Sequence, residues 1–279
     1  MIPAPFDYEV AESADQAVEL LGSRDDAKLL AGGHSLIPLM RLRFARPALL
    51  VDIGRVDELR YVHDAGEQLA IGALTRHHDL QHDPLVQEHC PIVSYTAGLI
   101  GDPQVRHRGT IGGSVAHGDP ASDLPTILTA LDADLVVLGP SGERTIPAAE
   151  FFRGVFETAL GEQDVLTEIR IPKLGPAGWS YVKFTRRAQD WATVGVAAVV
   201  RGSNGGIDEA AIALTNMGPI PVRARTSEAA LKTSNDVASA AQVVAQESDP
   251  PSDTSGSAEY RRHLATVLAG RALDEAISR

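Results

Sequence analysis

Two short segments carry the residues best suited to binding chemistry. Ala31-Gly32-Gly33-His34-Ser35-Leu36 and Gly109-Thr110-Ile111-Gly112-Gly113-Ser114 each set a glycine pair beside hydroxyl side chains. Glycine allows tight turns and close ligand approach, and successive backbone N–H groups can cradle anionic oxygen atoms. Ser35 adds a hydroxyl donor to the first segment, as Thr110 and Ser114 do to the second. The two together suit opposite faces of one diphosphate, although either alone reads more readily as an ordinary tight turn. Neither is a G-x-G-x-x-G fingerprint in a βαβ setting, and neither is a nucleoside-triphosphate loop ending in Gly-Lys-Ser/Thr. A Rossmann nicotinamide site and a P-loop ATPase therefore fit poorly.

Other polar groups point to less. His78 and His82 are four positions apart and share a helix face, with His77 and Asp79 nearby, but no HExxH or cysteine-rich zinc pattern accompanies them. A polar helix face is the reading preferred to a metal site. Asp119, Asp123 and Asp132 lack calcium-loop spacing. Arg106 and Arg108 flank His107 and read as a loop support, a partner contact or a solvated basic patch. Cys90 stands alone, so it makes no internal disulfide and cannot supply an iron–sulfur ligand set. Any iron–sulfur chemistry must sit on another chain.

The elements that must position these residues follow from patterning. Pro5–Val10 is extended, and Ser13 caps a helix with Ala17, Val18, Leu20 and Leu21 on its apolar face. Lys28–Leu30 and Leu49–Ile53 read as strands around a short helix at Leu36–Met40, whose start Pro38 restricts. Leu59–His63 and Gln68–Ala73 form a hairpin, Thr75 caps a helix through His82, and a second helix spans Val86–Leu99. The second glycine segment lies in the following loop. Leu124–Leu131 is helical, Leu135–Leu138 and Arg144–Ile146 are strands, Ala148–Phe152 is a short helix, and Leu166–Ile171 is a strand. Pro172, Gly175, Pro176 and Gly178 mark a linker. Beyond it Trp179–Phe184, Thr193–Val200 and Ile207–Leu214 form an antiparallel meander, with a turn at Asn204-Gly205-Gly206. Helices cover Ser227–Leu231, Val237–Gln246 and Tyr260–Ile277, and Asp249–Ser257 is a polar, mobile connection.

A chain of 279 residues with 44% hydrophobic composition has room for two cores. Its net charge of −12 opposes non-specific attachment to nucleic acid. Met1 and Ile2 run straight into Pro3-Ala4-Pro5, so no secretory signal is expected, and apolar runs such as Val194–Val200 are too short for a membrane helix. One cysteine is compatible with a reducing compartment.

AGGHSLIPLM at Ala31–Met40, TIGGSVAHGDPASDLP at Thr110–Pro125 and, less specifically, VKFTRRAQDWATVGVA at Val182–Ala197 resemble the FAD-binding medium subunits of the carbon monoxide dehydrogenase and xanthine dehydrogenase group of molybdenum hydroxylases. The resemblance extends over most of the chain. It implies an α+β fold, with a two-part FAD-binding domain of the vanillyl-alcohol-oxidase/PCMH type over residues 1–172 (subdomains about 1–56 and 57–172). A smaller C-terminal domain with an antiparallel sheet and helices follows over residues 173–279.

By the same resemblance, Ala31, Gly32, Gly33, His34, Ser35 and Leu36 on one side face the FAD diphosphate. Thr110, Ile111, Gly112, Gly113 and Ser114 face it from the other. Asp123 is implied to fix the adenosine portion through ribose hydroxyls, Leu166 to line the adenine side with backbone contacts, and Lys183 to approach the cofactor from the second domain. From residue chemistry alone, Asp123 reads equally as a turn-stabilising acid and Lys183 as a strand cation. His34 stands where glutamine is also familiar, and Gly118 follows His117 where alanine is usual; both changes bear on flavin tuning. Trp191 reads as a core or domain-interface aromatic in preference to a flavin cover.

The implied assembly is a dimer of heterotrimers. Its large subunit carries the molybdenum cofactor and its small iron–sulfur subunit carries two 2Fe-2S clusters. Electrons would pass from those clusters to FAD in this chain and on to an external acceptor, with no catalytic proton abstraction by this chain. A cytoplasmic setting follows, with peripheral placement at the inner membrane face if the acceptor is a quinone. A stand-alone flavin oxidoreductase and a non-catalytic scaffold or nucleotide-binding module are the competing readings.

Overall fold

The computed structural model describes residues 2–203 and 206–279. It opens with β1 (Asp7–Val10), α1 (Ala14–Gly22), β2 (Ala27–Leu30), α2 (Leu36–Leu42) and β3 (Leu49–Asp52). These build a parallel three-stranded sheet in the order β1-β3-β2. The Ser13 hydroxyl accepts from the Gln16 N–H and caps α1, whose Ala17, Val18 and Leu21 are buried.

The middle region contains β4 (Val62–Ala65), β5 (Gln68–Gly72), α3 (His77–His82), α4 (Pro84–His89), α5 (Pro91–Gly98), α6 (Pro103–Arg106), α7 (Ile111–His117) and α8 (Asp123–Ala130). It continues through β6 (Asp134–Gly139), β7 (Gly142–Pro147), α9 (Ala148–Phe151), β8 (Phe152–Gly154), β9 (Glu157–Thr158) and β10 (Val165–Pro172). The five-stranded sheet has the order β4-β5-β10-β6-β7, every pair antiparallel. Helix α8 is buried along its whole length, which fits its near-continuous apolar sequence.

After the linker come β11 (Gly178–Phe184), β12 (Val194–Ser203), β13 (Gly206–Thr215), β14 (Val222–Arg223), α10 (Arg225–Ser234), α11 (Val237–Val244) and α12 (Ala258–Ser278). The strands form a meander in chain order. Strand β12 is covered on both faces: Val196, Ala198 and Val200 pack with the C-terminal helices, whereas Ala197 and Val199 join the core of the preceding region. That double burial explains a continuous apolar run where one-sided exposure would give alternation.

Several local expectations need correction. The helix expected over Val86–Leu99 is two helices, because Pro91 lacks an N–H and starts a new one after Cys90. Asp83 caps the first of them by accepting from the Leu85 and Val86 N–H groups. Thr75 does not cap α3; Arg76 holds that position without a side-chain bond, and the Thr75 hydroxyl donates to the Tyr61 carbonyl. The second glycine pair lies inside α7, with Thr110 as its N-cap, and is no open loop. The connection 249–257 is tied down, because Asp253 bridges Gly256 and binds the buried Arg261. Of the expected turn at Asn204-Gly205-Gly206, positions 204 and 205 lie outside the described residues, as does Met1.

Candidate functional site

Strand β2 ends at Leu30, and the chain turns through Gly32-Gly33 into α2. Gly33 has φ +78°, a conformation that L side chains rarely adopt. Its carbonyl accepts from the Ile37 N–H, while Ser35 occupies the N-cap of α2 without a side-chain capping bond. Among the described residues, the amides of Gly32, Gly33, His34 and Ser35 donate to no protein acceptor. His34 is exposed and Leu36 half-buried.

The second segment uses its donors differently. The Ile111 amide donates to the Thr75 carbonyl at 3.0 Å, Gly112 to Ala73 at 2.8 Å, and Gly113 to the Thr110 hydroxyl at 3.1 Å. Ala73 in turn donates to the Thr167 carbonyl, at the place where the β10 register shifts between Leu166 and Glu168. These bonds lock the start of α7 onto β5 and β10. The segment therefore contributes a rigid backbone surface and the Ser114 hydroxyl more than free N–H groups. Leu166 is 5% exposed and packs into the main core beside that bulge.

The two segments meet. A methyl built on Gly32 would lie 2.3 Å from the Arg108 carbonyl oxygen and 2.8 Å from the Gly109 Cα, and one on Gly113 would touch the Ala31 Cβ at 3.9 Å. Gly32 thus permits a backbone-to-backbone approach that any Cβ would block. Free amides, absent side chains and a hydroxyl at one junction suit an anionic diphosphate, so the residues fit the FAD implied by the resemblance.

At the start of α8, Asp123 pairs with Lys183 of β11. The Lys183 ammonium donates to Asp123 Oδ2 at 2.8 Å and to the Leu99 carbonyl at 3.3 Å. The Tyr181 phenol donates to Asp123 Oδ1 at 2.6 Å and lies 3.0 Å from Thr215 Oγ1, which itself bonds the Thr126 hydroxyl. Burial pushes the Asp123 carboxyl above its usual range, and the Lys183 charge and the two hydrogen bonds pull it back. Burial and the Asp123 charge raise the Tyr181 phenol, so it stays a donor at neutral pH.

The histidines form a cluster without forming a metal site: no group of three or more potential ligands occurs among the described residues. His78 packs against His107 at 3.9 Å and against His82 at 4.4 Å between ring centroids, with both pairs of rings tilted. Arg106 closes the preceding loop by donating to the Ile100 and Gly101 carbonyls. Trp191, expected in a core or domain interface, is 67% exposed, because the segment from Thr185 to Thr193 lies outside the sheet. It lines a groove of about 730 Å³ together with Phe156, Arg186 and Asn216.

Two groups escaped sequence reasoning. Tyr181 stands two positions before Lys183 on a strand, so period-two spacing places both on one face and could have flagged it. His77 gave no signal beyond its residue type.

Two glycine segments that meet, in a chain whose antiparallel meander is clasped to the preceding region by a buried ion pair, define a two-domain α+β class of chain. The family model described as "FAD binding domain in molybdopterin dehydrogenase" matches residues 4–174, and that of "CO dehydrogenase flavoprotein C-terminal domain" matches residues 179–276. The chain belongs to the FAD-binding medium subunits of the carbon monoxide dehydrogenase/xanthine dehydrogenase family of molybdenum hydroxylases. It is 44% identical to the carbon monoxide dehydrogenase medium chain of Hydrogenophaga pseudoflava, covering 100% of this chain and 99% of that one. It is 38% identical to the glyceraldehyde dehydrogenase medium chain of Sulfolobus acidocaldarius, covering 99% of each. A solved structure of the Hydrogenophaga pseudoflava carbon monoxide dehydrogenase, lacking the Mo-pyranopterin moiety, superposes with a TM-score of 0.97 at 46% identity, covering 100% of this chain and 99% of that one.

Proposed function

We propose that the junction of Gly32-Gly33 with Arg108-Gly109 and α7 seats the diphosphate of one FAD. The free amides of Gly32 to Ser35 meet its negative oxygens, and Ala31, Leu36, Thr110, Ile111, Gly112, Gly113 and Ser114 shape the walls. Leu166 serves the adenine side through the backbone of the β10 bulge. Asp123 serves a ribose hydroxyl through lone pairs not taken by Tyr181 and Lys183, and Lys183 brings the second domain against the cofactor. The working division is 1–172 and 173–279, with a subdivision near residue 56. The observation that carries the reading is the contact of Gly32 with Arg108 and Gly109, across 75 and 76 intervening residues.

The chain is the electron-transfer component of a molybdenum-dependent dehydrogenase. When bound, FAD supplies the ability to take electrons singly and release them singly or in pairs. The protein's own part is to hold that cofactor, to exclude water with the tight loop junction, and to keep the domains in register through Asp123 and Lys183. Its partners in this reading are a large subunit with the molybdenum cofactor and a small subunit with two 2Fe-2S clusters, arranged as a dimer of heterotrimers. The substrate is oxidised on the large subunit.

No helix among the described residues is long and apolar enough to cross a membrane. Placement in the cytoplasm, or at the inner membrane face beside a quinone acceptor, belongs to the same proposal. Native co-purification with mass spectrometry and a visible spectrum tests it. The expected result is three chains with flavin and iron–sulfur absorption, and turnover only in the complex. Strong dehydrogenase turnover by the isolated chain would overturn the assignment.

A further inference from the structure

Beneath the loop junction lies an imidazole without an assigned task. His77 opens α3, is 4% exposed, and its Nδ1 is buried with no hydrogen-bond partner among the described residues. Its ring supports Gly109: a methyl there would lie 2.8 Å from His77 Cδ2 and 3.1 Å from Nε2. Its amide also donates to the Gly109 carbonyl at 3.0 Å. The packing order is therefore His77, Gly109, Gly32, with the unengaged amides just beyond.

An apolar side chain would fill this place without leaving a polar atom unpaired, so the imidazole is costly as mere packing. The basic groups acting on it are His34 from the first loop and Arg106 from α6, both opposing a positive charge on the ring. On its own helix His78 packs against His107 and His82, and Tyr95 of α5 is turned to Trp179. Among the described residues, the groups acting on it include no carboxylate to offset these two. Burial first, then the neighbouring His34 and Arg106, hold His77 at about 4, so it is neutral at pH 7.

We infer that His77 is the proton-linked member of the FAD site, taking up a proton from solvent when the cofactor's diphosphate settles on the amides above it. A nearby anion favours the imidazolium, and the diphosphate brings negative charge to a ring on which only basic side chains otherwise act. No bond of FAD is made or broken. His77 acts through the Gly109 junction as a positioning residue whose charge answers the ligand. The inference rests on the cradle reading above.

The test is FAD titration of the full chain by calorimetry between about pH 5 and about pH 7, in two buffers of different ionisation enthalpy. FAD itself does not titrate in that range. Wild type is expected to show net proton uptake, with affinity rising toward tenfold per pH unit as pH falls. H77N should bind FAD with that dependence removed. Should it not fold, NMR of the His77 ring in wild type, with and without FAD, reads the same linkage as an upward move of its titration. FAD binding without proton uptake, or uptake unchanged in H77N, overturns the role of His77 alone. Uptake lost in H34N and retained in H77N assigns it to His34 and equally overturns it. A wild-type chain that binds no FAD overturns the cradle as well.

Discussion

Asp123 and Lys183 join the two halves of the molecule at 2.8 Å, with side chains only 5% and 8% exposed. Removing one partner leaves a buried charge without compensation. K183M is expected to cost about 3–5 kcal/mol, which lowers the melting temperature on the order of 10 °C for a chain of this size. Adding D123N should restore most of the loss. Thermal and urea melts of both variants decide it, and a K183M chain that melts with wild type would remove the clasp from the account.

Gly112 is packed against strand β5. A methyl there would sit 2.5 Å from the Ala73 Cβ and 2.6 Å from its carbonyl oxygen. G112A should therefore destabilise by about 1–3 kcal/mol through overpacking, and it should loosen the bond from the Gly112 amide to Ala73. Faster hydrogen exchange at Gly112 and Ala73 is the expected signature. Exchange unchanged at both would show that α7 can shift without cost.

Acid stability of the FAD-free chain should depend on His77. Its folded value is about 4 against 6.5 for an ordinary histidine, so the unfolded chain binds more protons between these values. Stability is therefore lost as pH falls from about 6.5 to about 4, by up to about 3 kcal/mol from this group. H77L should flatten that part of the curve in urea melts. An identical slope in wild type and variant would mean that His77 is protonated freely in the folded state.

Arg261 is wholly buried, donates to both Asp253 oxygens at 2.7 and 2.8 Å, and reaches the Thr193 carbonyl at 2.5 Å. It ties residues 249–257 to the edge of β12, helped by Arg186 on the Thr254 carbonyl. R261M should cost about 2–4 kcal/mol and speed proteolytic cleavage within that segment. A cleavage rate equal to wild type would mean that the segment holds without the guanidinium.

Much of the fold was readable because its patterns are local. Ser13 caps α1 as its spacing predicts, and the meander of β11, β12 and β13 follows from three apolar runs separated by turns. The misreadings arose where a tertiary contact outweighed local preference. Thr75 gives its hydroxyl to Tyr61 instead of α3, and Gly112-Gly113 continues as helix because Ala73 and Thr110 take its first donors. Trp191 is apolar enough for a core but sits on a segment outside the sheet. The glycine segments and their convergence on one diphosphate could be expected from sequence and resemblance, yet the direct backbone contact of Gly32 with Arg108 could not, since the two share no local pattern. The pairing of Asp123 with Lys183 was equally invisible, as each residue reads separately as a ligand or a surface charge.

The most direct measurement is FAD affinity of the full chain and of G32V, followed by flavin fluorescence quenching. A valine at Gly32 would drive its Cβ into the Arg108 carbonyl, parting the two segments that form the cradle. The account predicts one FAD bound per wild-type chain and at least about a tenfold loss of affinity in the variant, equivalent to about 1.4 kcal/mol. A folded G32V chain that binds FAD as tightly as wild type would contradict it.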